Sequence, residues 1–253
     1  MFKNEYDSLA KVSKNKVNFL EQNPFGYFLA SCLAGIYVGF GIILIFTIGG
    51  LLNGQPYAKV VMGISFGIAL SLVVMAGSEL FTGNNLIMGA GSIKGEVPWS
   101  KTIKLWVVCY VGNWVGAFLL GIVYILTGLS NGPIGEFFAS VTLTKTTTPI
   151  SELFFRGVLC NVLVCLAIWC FFKLQSESGK LIMIFWCLFA FITSGFEHSI
   201  ANMTALTVGL LQPMGQAITV GGYFTNILVV TLGNMVGAFL FLVIPYYIMQ
   251  KKD

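Results

Sequence analysis

Charge is scarce in this sequence. Asp, Glu, Lys and Arg make up 9% of its 253 residues, against roughly 25% in soluble domains. With 57% hydrophobic residues and a mean hydropathy of +0.86, that deficit excludes an ordinary water-soluble globule and places the chain in the membrane class. Histidine occurs once, as His198. The six cysteines (Cys32, Cys109, Cys160, Cys165, Cys170 and Cys187) lie inside apolar runs and form no CxxC pair and no Cys/His cluster. Neither a metal site nor a disulfide framework is expected from them, and they read as small buried apolar groups. The net charge of +4 is modest. Basic residues flank apolar spans without forming a stripe, so nucleic acid is not an expected partner. A nucleophile–base pair at recognisable spacing is missing too. No catalytic residue or cofactor is assigned, and a membrane-embedded enzyme is disfavoured.

Long apolar runs are what is present. Spans are expected at about 28–52, from about 60 with a break at Glu79, at about 105–129, at about 153–172, from Leu181 with a break at Glu197-His198, and at about 223–249. Each unbroken run meets the roughly 20-residue requirement of a transmembrane helix. Between the third and fourth spans the sequence reads as a polar, Thr-rich loop containing Lys145. Residues 1–24 place Tyr6, Leu9, Ala10, Ser13, Val17 and Leu20 at helical spacing, with lysines mostly elsewhere. This predicts an amphipathic helix at the membrane surface, ending near Asn23-Pro24. The run that follows is far longer than the roughly 7–15 residues of a signal-peptide core, so no cleaved leader is expected. The predicted organisation is a cytoplasmic helix over 1–24 and a six-span channel domain over 25–253. Orientation follows from Lys and Arg. Lys3, Lys11, Lys14, Lys16, Lys94, Lys101, Lys104, Lys173, Lys180, Lys251 and Lys252 fall on one side, against Lys59, Lys145 and Arg156 on the other. Both termini are therefore expected in the cytoplasm.

The two interrupted spans share a spelling. Gly77-x-Glu79-x4-Asn84 and Gly195-x-Glu197-x4-Asn202 lie 118 positions apart. Gly112-Asn113-x-Val115-Gly116 and Gly233-Asn234-x-Val236-Gly237 lie 121 apart. The chain thus reads as two three-span halves, about 25–130 and about 150–250. Three spans per half put the second half in upside down, the inverted-repeat architecture of transporters and channels. Non-helical backbone at membrane depth is tolerated only where it is buried in protein or lines a water-filled cavity. The half-helices after the breaks would aim N–H groups and positive partial charge at an anion. His198 sits beside a carboxylate inside such a break. It could hydrogen-bond a passing anion, protonate it, or act as imidazolium. Glu79 and Glu197 are expected to accept N–H bonds and hold the loops, and Asn84 and Asn202 to cap the second half-helices. Thr82 is a candidate pore ligand through its hydroxyl.

The motif Ser78-Glu79-Leu80-Phe81-Thr82-Gly83-Asn84, with Ser194-Gly195-Phe196-Glu197-His198-Ser199-Ile200-Ala201-Asn202-Met203, resembles the formate/nitrite transporter family across essentially the whole chain. The resemblance implies an all-α, aquaporin-like membrane fold with helices 2 and 5 broken, assembled as a homopentamer with one pore per protomer. It implies a bacterial-type cytoplasmic membrane, surrounded by lipid. It makes His198 the central pore histidine and places Leu80 and Thr82 in the loop that breaks helix 2. It assigns Phe66, Leu70, Leu80 and Phe191 to two apolar constrictions, and ties Lys145 and Asn161 to the pore and its electrostatics. The implied cargo is a small monovalent anion: formate, nitrite or hydrosulfide. The spelling of the first break looks closer to the nitrite and hydrosulfide branches, with hydrosulfide favoured. A water or neutral-solute pore of aquaporin type is the alternative. Against it, neither break contains Asn-Pro-Ala and both carry Glu.

Overall fold

The computed structural model describes residues 2–250. Lys251 and Lys252, counted above with the cytoplasmic lysines, lie outside the described residues. Among the described residues the regular structure is helical throughout. The helices are α1 (Lys3–Gln22), α2 (Pro24–Leu51), α3 (Ala58–Ser65), α4 (Ile68–Met75), α5 (Phe81–Lys94), α6 (Trp99–Leu126), α7 (Gly132–Thr147), α8 (Ile150–Lys173), α9 (Glu177–Ser194), α10 (Ser199–Leu211), α11 (Val220–Ala238) and α12 (Ile244–Gln250). A π-helical turn, Phe239–Val243, joins the last two. Six segments are long and apolar enough to cross a membrane: α2, α3 with α4, α6, α8, α9, and α11 through α12. Both expected breaks are present, at residues 76–80 and 195–198.

The helix pattern differs from the sequence reading around Lys145 and at Phe66. The Thr-rich stretch around Lys145 is the helix α7, not a loop. Pro133 sits in its first turn, where a missing N–H costs nothing. Three of its hydroxyls stay bonded within the helix: Thr144 donates to the Ser140 carbonyl, Thr146 to Thr142, and Thr147 to Leu143, while Thr142 donates to the Ala205 carbonyl of α10. Such back-bonding lets threonine sit in a helix without exposing an unsatisfied hydroxyl. The second span also carries an interruption beyond the one at Glu79. At Phe66 the ladder tightens to a Phe66 N–H to Gly63 carbonyl bond of 3.3 Å, which separates α3 from α4.

The N-terminal helix buries Tyr6, Leu9, Ala10, Ser13, Val17 and Leu20, the apolar stripe read from the sequence. That stripe packs mainly against α5. Ser13 Oγ lies 1.8 Å from where a Cβ on Gly91 would stand. On the other side, Thr142 Oγ1 of α7 lies 2.1 Å from the Cβ position of Gly209 on α10. Helices α1 and α7 therefore dock alike on the two half-helices, each by a hydroxyl fitted into a glycine gap.

Helix pairs α2/α6 and α8/α11 cross on small residues. A Cβ on Gly116 would stand 1.9 Å from the Cys32 carbonyl oxygen, and one on Gly237 would stand 2.2 Å from that of Val158. Each glycine ends a Gly-xxx-Gly spacing, with Gly112 and Gly233. Association in lipid depends on such close backbone approach, because apolar side chains gain little by leaving lipid for protein. Gly116→Val and Gly237→Val should each destabilise the protein, by about 1–3 kcal/mol or more. The measurement is the melting midpoint of purified protein in detergent. Midpoints equal to the parent's would show that these backbones do not meet as described.

Candidate functional site

Each break is built in the same steps. The preceding helix ends on a glycine in the left-handed region, Gly77 (φ 79°) and Gly195 (φ 78°). The next N–H turns back to a carbonyl five residues earlier, Ser78 to Val73 at 3.1 Å and Phe196 to Phe191 at 3.0 Å. This is the glycine-terminated helix end that satisfies the last carbonyls. The carboxylate residue follows, and its own N–H crosses to a neighbouring helix: Glu79 to the Ala30 carbonyl at 3.1 Å, Glu197 to the Arg156 carbonyl at 3.2 Å. One extended residue then precedes the half-helix, Leu80 (φ −99°, ψ 124°) before α5 and His198 (φ −111°, ψ 117°) before α10.

An asparagine from a third helix pins each break. Asn113 Oδ1 accepts the Phe81 N–H at 2.9 Å, and Asn113 Nδ2 donates to the carbonyls of Ser31 (2.7 Å) and Glu79 (2.8 Å). Asn234 Oδ1 accepts the Ser199 N–H at 2.9 Å, and its Nδ2 donates to Gly157 (2.8 Å) and Glu197 (3.0 Å). Both side chains are fully buried. Their signal in the sequence was the Gly-Asn-x-Val-Gly repeat, which marked them as repeat members without a role.

The carboxylates find partners other than the backbone N–H groups expected. Glu79 accepts both of its short bonds from Lys16 Nζ, at 2.6 and 2.7 Å, with Asn84 Nδ2 at 2.9 Å and the Tyr27 hydroxyl at 3.1 Å. Glu197 is bonded by Lys145 Nζ at 2.8 and 2.6 Å and by Asn202 Nδ2 at 2.6 Å. Asn84 and Asn202 therefore do not cap the half-helices. Those helices start earlier, at Phe81 and Ser199, because Asn113 and Asn234 already hold their first N–H groups. The two asparagines sit one turn in and donate to the carboxylates. In the sequence Lys16 is one lysine of the amphipathic N-terminal helix, and nothing local marks Tyr27.

Three spaces lie in series across these breaks. The first, about 320 Å³, is lined by Lys16, Glu79, Leu80 and Asn84 among others. The second, about 360 Å³, is lined by Lys59, Lys145, Phe191, Glu197, His198 and Asn202 among others. Between them is a chamber of about 10 Å³ enclosed by Val38, Phe66, Ala69, Leu70, Leu80, Val164, Leu188, Phe191 and His198. Leu80 is shared by the first cavity and the chamber, Phe191 and His198 by the chamber and the second cavity. The ring of Phe66 stands edge-on to Phe191 at 5.5 Å between centroids, and Phe191 stacks over the His198 imidazole at 6.1 Å. Phe66, Leu70, Leu80, Phe191 and His198 thus share the wall of one chamber. Thr82 and Asn161 line none of the three spaces. Thr82 is reached through His198, with Oγ1 and Nε2 2.9 Å apart. Asn161 stands behind it, donating to the Asn234 carbonyl at 2.8 Å and the Thr82 carbonyl at 3.4 Å.

The hydrogen bonds define the imidazole's tautomer. Nδ1 accepts the Ala201 N–H at 3.1 Å, so it carries no proton. In the neutral ring the proton is then on Nε2, which donates to Thr82 Oγ1. His198 is therefore both the cap of α10 and an N–H donor facing the chamber. Leu80 holds the corresponding place in the first half and supplies no polar atom. Among the described residues no group of three or more His, Cys, Asp or Glu is placed to hold a metal ion.

Comparison with known proteins identifies relatives along nearly the whole chain. A family model described as formate/nitrite transporter matches residues 5–248. The nitrite transporter NirC of Escherichia coli (strain K12) is 42% identical over 254 residues, spanning 97% of this chain and 92% of its own length. A solved structure described as an FNT family ion channel superposes with a TM-score of 0.94 at 39% identity, over 98% of this chain and 99% of its own. A pentameric formate channel with formate bound superposes with a TM-score of 0.81 at 26% identity, over 92% and 99%.

Removing one member of a buried ion pair strands the other. The Lys145 and Glu197 side chains are 17% and 6% exposed. Lys145→Met should therefore destabilise the protein by about 3–5 kcal/mol, and adding Glu197→Gln should recover most of the loss. Thermal melts of the parent and three variants in detergent check this. Additive losses in the double variant would show that the two side chains do not depend on each other.

Proposed function

Because the chain belongs to the formate/nitrite transporter family, we propose that it is an integral membrane channel that passes nitrite and closely related monovalent anions. The observation that carries this reading is His198, backed by Thr82 Oγ1 2.9 Å from its Nε2 and set in the wall of an otherwise apolar chamber between two cavities. An anion leaving water for an apolar constriction pays heavily unless a donor meets it. The Nε2–H becomes such a donor on this reading when it turns from Thr82 Oγ1 to the anion. The half-helices α5 and α10 add positive partial charge from their N-termini.

The chamber volume is about that of one water-sized sphere. A nitrite or formate ion is larger, so the geometry supports a closed conformation in which Leu80 or Phe191 must swing aside for passage. On this reading Leu70 and Leu80 close one side of the chamber and Phe66 and Phe191 the other.

Of the three roles open to His198, the hydrogen-bond pattern favours donation. A neutral imidazole that gives up its Nε2 proton becomes an imidazolate, a poor outcome in an apolar site. Acting as an acid would first require a proton on Nδ1, which faces the Ala201 N–H. The neutral donor explains the geometry without that step.

The two halves are proposed to be inverted, with α1 and the first cavity on the cytoplasmic side and α7 and the second cavity outside. Five copies, each with its own pore, are proposed as the assembly. The superposition on a pentameric channel supports that count. Nitrite leads among the cargoes because the relative at 42% identity is a nitrite transporter. Hydrosulfide, favoured by the spelling of the first break, is the second anion to test, and formate the third.

Purified protein in liposomes should pass nitrite, and flux of the three anions measured side by side at pH 5.5 and 7.5 ranks them. Water flux with no anion flux would overturn the reading. His198→Asn, which keeps a capping oxygen and a donor but cannot titrate, should retain flux with the parent's pH profile. A flattened profile would assign proton transfer to His198 instead. Thr82→Ala should change rate or selectivity, and permeability ratios equal to the parent's would remove Thr82 from the pore.

A further inference from the structure

The ion pairs that hold the breaks also neutralise the lysines nearest the pore. Lys16 is bonded to Glu79 and Lys145 to Glu197, through both oxygens in each case. Neither pair adds net charge to its cavity. The charged side chains lining the first cavity are Lys16 and Glu79, which cancel. Those lining the second are Lys59, Lys145 and Glu197. One positive charge is left over there, on Lys59.

Lys59 opens the second turn-in of the chain, at the start of α3. It is exposed, and no carboxylate among the described residues pairs with it. Its position is nevertheless particular. The ammonium lies 2.9 Å from where a Cβ on Gly195 would stand. Gly195 is the residue at which α9 stops and the break carrying His198 begins. A side chain there would occupy the lysine's place. The glycine thus supplies the left-handed turn and also leaves room for a cation over the break.

We propose that Lys59 is an anion-gathering residue of the channel, the source of the net positive field in the second cavity. This rests on the anion conduction proposed above. The paired Lys145 fixes the loop, and the unpaired Lys59 raises the local concentration of anions ahead of the Phe191 constriction. A fixed charge in a low-dielectric funnel acts in this way on small ions. The second half repeats the device at the matching position, beside the first cavity. Lys180, 121 residues on, begins α9, has no carboxylate partner among the described residues, and stands 4.6 Å over the ring of Phe171, which lines the first cavity.

A competing role exists for Lys59. A cation near the end of α9 also complements that helix's negative pole. Salt separates the two. A field acting on an anion in the cavity fades as the Debye length falls from roughly 30 Å at 0.01 M salt to roughly 3 Å at 1 M. A structural contact on the helix end does not change flux in that pattern.

The test is nitrite flux into liposomes by the full chain and by Lys59→Arg, Lys59→Gln and Lys59→Glu, at 0.01 M and 1 M of an impermeant salt. At low salt the order should be parent and Lys59→Arg, then Lys59→Gln lower by about threefold, then Lys59→Glu lower by about tenfold. At 1 M the four should converge to within about a factor of two. Equal rates at low salt overturn the proposal. A loss that persists unchanged at high salt also overturns it, and assigns Lys59 to the end of α9. If Lys59→Gln fails to assemble, the comparison of Lys59→Arg with Lys59→Glu carries the same decision. Absence of nitrite flux in the parent itself would sink the anion-conduction reading instead, so the two failures are distinguishable.

Discussion

A helix that breaks inside a membrane leaves N–H and C=O groups with no water to bond, and everything else here depends on how those groups are met. Asn113 and Asn234 meet them. Each is a side chain with one acceptor and two donor hydrogens, inserted where a half-helix needs an acceptor and two displaced carbonyls need donors. The bonds lie in fully buried surroundings, where an unmet polar group costs about 1–3 kcal/mol. The breaks are therefore stable features of the scaffold, and the residues they carry are held in position.

The carboxylates at the breaks continue that logic. Glu79 and Glu197 are buried, and a lone carboxylate there would be costly. Each receives a lysine from the helix docked on its half-helix, α1 or α7, and an amide from the half-helix itself. Helices α1 and α7 are thus tied to the channel by charge as well as by the fit of Ser13 and Thr142 against Gly91 and Gly209. Electrostatically, the consequence is that each of these two lysines is paired with a carboxylate. Of the charged residues lining the second cavity, Lys59 has no carboxylate partner among the described residues.

The two halves share a frame and differ at one decisive position. Leu80 and His198 occupy equivalent extended places before α5 and α10, with nearly the same backbone angles. An apolar side chain at one and an imidazole at the other turn a symmetric pair of breaks into a chamber with one wetting partner. Thr82, from the half that lacks the imidazole, completes the pair by reaching across to it.

The sequence by itself determined the spans, the two breaks, the repeat and the membrane class, because hydropathy and spacing act locally. Glu79 and Glu197 stood out because a charge in an apolar run is a local anomaly. The apolar stripe of α1 was legible for the same reason. Tertiary structure decided what local pattern cannot carry: that Lys16 pairs with Glu79 across 63 positions, that Asn113 and Asn234 hold breaks on other helices, and that the stretch around Lys145 is a helix. It also decided which nitrogen of His198 holds the proton, since both partners of the ring, Ala201 and Thr82, are fixed only once the two half-helices meet. These choices depend on distances between residues far apart in the chain, and such distances exist only after the helices have packed.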